Sequence, residues 1–379
     1  MNRLQRLHAA GQSIWLDFID RNLLGSGTLQ RRIEEDALTG MTSNPTIFEK
    51  ALAEGSAYDA DLRAAPEGAS AWELFELLAA SDVRAACDIF RPVYDSTNGG
   101  DGYVSLEVSP GAANDAEETV VEAHRLWKAV DRPNLMIKVP GTDAGAAAAR
   151  RLIADGINVN VTLLFAVEAH AKVIDAYIAG LEDRAAAGKP LDHVGGVASF
   201  FISRVDSEID KRLDAMIASA QSPEDAERLK GLKGKAAIAN AKLAYKLFQS
   251  RFSGQRWERL VEKGARVQRP LWASTSTKNP AYRDVLYVEE LIGPDTVNTM
   301  PPQTLEAFRD HGETRRSVDE NVGGAVQLLA ELESIGISMK DVTDQLLREG
   351  LASFSKSFDT LVAGLEAKSR ELGRSFAAR

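Results

Sequence analysis

The chain has 379 residues, 44% of them hydrophobic and 26% charged, which suits a globular protein with a sizeable core. Its net charge of −10 argues against a nucleic-acid surface, which needs a basic footprint. Cys87 is the only cysteine and the five histidines form neither an i, i+4 pair nor a HExxH motif, so an intrachain disulfide and thiolate clusters are excluded and no metal site is expected.

The N-terminal stretch MNRLQRLHAAGQSIWLDFIDRNLL reads as a short helix running into a strand. It lacks the apolar core of a signal peptide, and no apolar run approaches membrane-spanning length. A cytoplasmic location without a membrane partner is expected. Further strands are predicted at 39–43, 103–108, 135–140, 157–163, 195–201, 270–275 and 296–300, after the first at 13–19. Helical stretches separate them, at 114–130, 142–155, 165–180 and 203–220 among others. About eight strands alternating with helices predict an α/β protein, a closed (β/α)₈ barrel of the TIM type, rather than an open sheet. Residues 50–98 and 221–265 read as helical insertions and 316–379 as a helical C-terminal extension, whose place over the mouth or beneath the barrel the sequence leaves open. No repeat or flexible linker divides the chain, so one decorated domain over 1–379 is predicted. The sequence leaves the oligomeric state open.

A barrel strand points alternate residues inward and outward. Ile14, Leu16 and Phe18 alternate with Trp15, Asp17 and Ile19; Val104, Leu106 and Val108 alternate with Tyr103, Ser105 and Glu107. Leu135, Ile137 and Val139 alternate with Met136 and Lys138; Ile157, Val159, Val161 and Leu163 alternate with Asn158, Asn160 and Thr162. Four strands thus present an aliphatic outer face and a polar inner one, with Asp17, Glu107, Lys138, Asn160 and Thr162 near the end where active sites of this fold lie. Unpaired charges are costly there, so the ring is either a satisfied ion-pair network or chemical equipment.

Lysine is the residue least expected in such a strand. To attack a carbonyl it must be neutral, whereas at an ordinary pKa near 10.4 only roughly one amine in a thousand is neutral near pH 7.4. Burial lowers that value, and a drop of about three units corresponds to roughly 4 kcal/mol. A carboxylate in contact would oppose the drop, so Glu107 and Asp17 are expected to stand apart from Lys138. Two acids and a hydroxyl suit the proton transfers of Schiff-base chemistry, which needs neither metal nor cofactor.

The motifs around these residues closely resemble those of the transaldolases: TGMTSNPTIF (39–48), LMIKVPGT (135–142), INVNVTLLF (157–165) and ASFFISRVD (198–206), in order along about 13–310. The resemblance implies transfer of a dihydroxyacetone unit from sedoheptulose 7-phosphate to glyceraldehyde 3-phosphate, giving erythrose 4-phosphate and fructose 6-phosphate, a reaction of the pentose phosphate pathway. It implies Lys138 as the Schiff-base lysine and Asp17 as the acid–base group for C–C cleavage. Glu107 would act through a water held with Thr162. Asn44 and Asn160 would bind the dihydroxyacetone hydroxyls, and Ser199, Arg204 and Lys278 the phosphate. Lys278 stands where many relatives have arginine, so it would bind as a point charge without a bidentate fork. Read from the residues alone, Asn44 before Pro45 could be a turn or cap residue, Arg204 could open a solvated helix, and Thr299 serves packing. Alternatives are a fructose-6-phosphate aldolase, whose members are shorter and commonly carry tyrosine near Phe201, and a non-catalytic sugar-phosphate-binding barrel.

Overall fold

Short apolar runs bounded by turn residues become eight parallel strands: β1 (Gln12–Asp17), β2 (Leu38–Thr42), β3 (Val104–Glu107), β4 (Leu135–Pro140), β5 (Val159–Leu164), β6 (Gly196–Phe201), β7 (Arg269–Ala273) and β8 (Thr296–Met300). In this computed structural model, which describes residues 1–53, 56–66 and 68–373, they close into a barrel in sequence order. The seam joins β1 to β8 through Gln12↔Thr296 to Leu16↔Met300. The predicted (β/α)₈ barrel is the observed fold.

Alternation sorts the core into two bodies. Ile14, Leu16, Val104, Leu106, Leu135, Ile137, Val159 and Val161 join the large cluster between barrel and helices. Trp15, Tyr103, Met136, Val197, Leu271 and Val297 form a separate one inside the barrel. Gly40 faces this interior because a Cβ there would stand 2.5 Å from the Trp15 indole. At the N-terminal end of the barrel, Trp15 Nε1 donates to Asp101 Oδ1 at 2.8 Å and Ser13 Oγ donates to Oδ2. Arg269 lies 3.5 Å from Asp101 and donates to Ser13 at 2.6 Å. That floor is a satisfied polar network.

The helices start on side-chain caps that satisfy their first amides. Asp115 caps Ala116–Val130, Thr142 caps Asp143–Asp155, and Ser70 with Glu73 forms a capping box for Ala71–Ser96. The 221–265 insertion is three helices, Pro223–Lys230, Ala236–Arg251 and Gln255–Val261. The C-terminal extension is Val322–Ser334 followed by the long helix Met339–Glu371. Positions 54, 55 and 67 of the first insertion and 374–379 of the extension lie outside the described residues.

The long C-terminal helix is anchored at both ends. Arg212, on the helix Ser203–Ala218, donates to Asp341 and Gln345, each at 2.7 Å. Lys368 donates to the Leu52 carbonyl at 3.1 Å and lies 3.3 Å from Asp59. Between them Phe358 packs against Trp72 in a tilted pair with ring centroids 4.8 Å apart. One face of this helix borders the cavity at the barrel mouth.

Candidate active site

Asp17, Glu107, Lys138 and Thr162 end or nearly end β1, β3, β4 and β5, and inward parity aims all four into one cavity of about 570 Å³ at the mouth. Asn44, Ser199, Arg204 and Lys278 line the same cavity. Of the predicted set only Asn160 does not. It is fully buried, accepts from Ser199 Oγ at 2.7 Å and donates to Ser105 Oγ at 3.0 Å. Its amide is engaged with the interior serines of β3 and β6.

Glu107 and Lys138 are register partners on adjacent strands. Lys138 Nζ donates to Glu107 Oε2 at 3.1 Å and to the Ser43 carbonyl at 3.3 Å. This corrects the expectation that Glu107 stands apart: partners on paired parallel strands have side chains on the same face, close enough to touch. Lys138 is 7% exposed, yet the open cavity lies beside it. Burial raises the Glu107 pKa, opposed by the charge and hydrogen bond of Lys138. A carboxylate pushed upward accepts a proton more readily, so the direct contact offers Lys138 a local base.

Asp17 is also raised by burial, against the attraction of Lys138 and a hydrogen bond from Thr42. Thr42 Oγ1 donates to Asp17 Oδ1 at 2.7 Å and lies 2.6 Å from Thr299 Oγ1. Thr162 Oγ1 is buried and makes no hydrogen bond within the protein, which leaves a hydroxyl free for a bound molecule.

At the far wall the cavity is cationic. Arg204 opens the helix after β6, with its guanidinium 5.3 Å from the Phe201 ring. Lys278 donates to Ser276 Oγ at 2.8 Å in the loop after β7. Burial lowers the Arg204 pKa; burial and then Arg204 lower that of Lys278. Among the described residues neither makes an ion pair. Two neighbouring cations outside any ion pair, with the charge of Glu349 acting on Arg204 only from a distance, at a strand end and a helix start, make an anion site.

Several lining residues escaped the sequence reading. Thr42 and Thr299 were legible in principle, since each shares the inward parity of Gly40 and Val297 in its own strand. Thr299 therefore serves the site and not only packing. Phe18 and Leu163 were expected outward but line the cavity. Alternation fails for Phe18 because β1 stops at Asp17, and for Leu163 because its φ of +59° marks an irregularity in β5. Ile19, expected inward, packs in the outer core for the same reason as Phe18. Gly350, Ser353, Phe354 and Ser357 had no local signal, because nothing in their sequence says which surface their helix crosses.

Among the described residues no group of three or more His, Cys, Asp or Glu side chains could hold a metal ion, and no helix is long and apolar enough to cross a membrane. The family described as Transaldolase/Fructose-6-phosphate aldolase matches residues 14–365. The chain is 48% identical over 374 residues to a protein named Transaldolase from Trichodesmium erythraeum, covering 98% of each chain. It is 50% identical over 361 residues to one of the same name from Thermobifida fusca, covering 95% of this chain and 96% of the relative. A protein named Transaldolase 2 from Nostoc is 48% identical over 372 residues, covering 97% of this chain and 98% of the relative.

Proposed function

Since the chain belongs to the transaldolase/fructose-6-phosphate aldolase family, we propose that it works as a transaldolase whose Schiff base forms on Lys138. It transfers a dihydroxyacetone unit between ketose and aldose phosphates. The observation that carries this reading is the placement of Lys138 Nζ at 3.1 Å from Glu107, beside a cavity shared with Asp17 and the Arg204–Lys278 anion site.

The chemistry follows from that placement. The substrate phosphate binds Arg204 and Lys278, which sets the ketose carbonyl over Lys138. Glu107 takes a proton from the ammonium, and the freed amine adds to the carbonyl carbon. A second proton passes from the added nitrogen to the former carbonyl oxygen, making the carbinolamine; Glu107 then returns its proton to that hydroxyl, with Thr162 Oγ1 holding the departing water, and the iminium forms. Asp17 removes the proton of the hydroxyl on the fourth carbon; the bond between the third and fourth carbons breaks and its electrons pass to the iminium. The aldose phosphate leaves, an acceptor aldose phosphate takes its place, and the steps reverse. Asn44 fixes the three-carbon fragment, and Ser199, which donates to Asn160, joins Arg204 and Lys278 on the phosphate side. Fixed orientation of this kind contributes heavily to rate.

Borohydride reduction with fructose 6-phosphate, followed by peptide mass spectrometry, tests the reading. A reduced adduct is expected on Lys138 and none in Lys138→Ala; an adduct on another lysine sinks the assignment. Phe201, rather than a tyrosine, at the cavity wall favours transfer over release. An assay without acceptor aldehyde separates the two, because substantial free dihydroxyacetone would identify an aldolase.

A further inference from the structure

The wall facing the anion site is built by the C-terminal helix Met339–Glu371. Its residues Gly350, Ser353, Phe354 and Ser357 border the cavity at i, i+3, i+4, i+7 spacing, one face of the helix. Gly350 is the unusual member. Glycine is the poorest helix former apart from proline, yet Gly350 sits mid-helix with helical backbone geometry, outside the positive-φ region. Conformational freedom therefore does not explain it; space does. A Cβ on Gly350 would stand 3.1 Å from Leu163 Cδ2 and 3.8 Å from Arg204 Nη1. Leu163 is the residue whose positive φ turns it into the cavity. The bare α-carbon thus leaves room beside Leu163, with the guanidinium at van der Waals distance from where a side chain would begin, on the lining of the same cavity.

We propose that Gly350 is a specificity-determining position: its missing side chain keeps open the berth of the Arg204 guanidinium and of the substrate phosphate. The covering helix in this way sets the enzyme's acceptance of phosphorylated sugars. Gly350 acts through Arg204 and is a positioning residue, not a catalytic one. The inference rests on the Schiff-base reading above.

Gly350→Val tests it, since valine is no worse a helix former than glycine. The KM for fructose 6-phosphate is expected to rise at least tenfold with kcat within about threefold, and the competitive inhibition constant of inorganic phosphate to rise by the same factor. Borohydride trapping of dihydroxyacetone, which carries no phosphate, is expected to label Lys138 equally in both proteins. Equal phosphate inhibition in variant and wild type, or equal losses with phosphate-bearing and phosphate-free compounds, overturns the proposal. Failure of wild-type Lys138 to trap dihydroxyacetone instead overturns the Schiff-base reading itself. Should the valine variant not fold, Gly350→Ala replaces it, with an expected rise of about threefold in both constants; no rise overturns the proposal.

Discussion

Asp17 carries two opposed influences: burial raises its pKa, while Thr42 and Lys138 pull it down. The proposed chemistry uses Asp17 as a carboxylate, so activity is lost as pH falls through its raised pKa. The acid limb of kcat/KM should then lie above the ordinary aspartate range. Thr42 donates to the ionised form, so Thr42→Val removes a lowering influence and should shift the limb to higher pH. A profile of kcat/KM against pH checks this; a limb that stays put, or moves down, excludes Asp17 as the titrating group. Lys138, Glu107, Asp17 and Thr162 were readable from strand parity alone, because two-residue periodicity holds in each strand up to these positions and breaks only beyond them, at Phe18 and Leu163. The contact between Lys138 and Glu107 was not, since register between strands depends on loops whose lengths carry no pairing rule.

Whole elements hold the cations in place. The helix Ser203–Ala218 begins next to Arg204 and carries buried Asp206 and Asp210 on the same face. Asp206 accepts from Tyr287 OH at 2.9 Å and from the Ala237 amide at 2.8 Å, and Asp210 accepts from Tyr282 OH and the Gly234 amide. The two tyrosine bonds brace the segment after β7 that bears Lys278 against the helix that bears Arg204, and the two amide bonds tie the insertion before β7 to the same helix. Tyr282→Phe should loosen that brace, raising KM for phosphorylated substrates about threefold while kcat holds. Steady-state kinetics decide it: a fall in kcat with KM unchanged means the brace serves the chemistry rather than the anion site. The eight strands and most helices were legible as alternation and caps. The position of Met339–Glu371 over the mouth was not, because it depends on distant partners such as Arg212, Leu52 and Trp72.

Across the molecule, stability and chemistry occupy opposite ends of the barrel. The Ser13–Trp15–Asp101–Arg269 network closes the floor, and the cavity opens at the other end. Arg269→Met removes one partner and leaves Asp101 buried, which typically costs about 3 kcal/mol. Denaturant unfolding should register that loss while KM and kcat remain near wild type below the unfolding range; a large kinetic defect in a stably folded variant would show that floor and mouth are coupled. The seam between β1 and β8 has a consequence for how the chain reaches this state. Gln12 donates to Thr296 across 284 positions of sequence, so the cylinder cannot shut until its eighth staves arrive. During synthesis the first strand must wait with an unsatisfied edge, open to mispairing, and closure is bound to be a late, slow, long-range event.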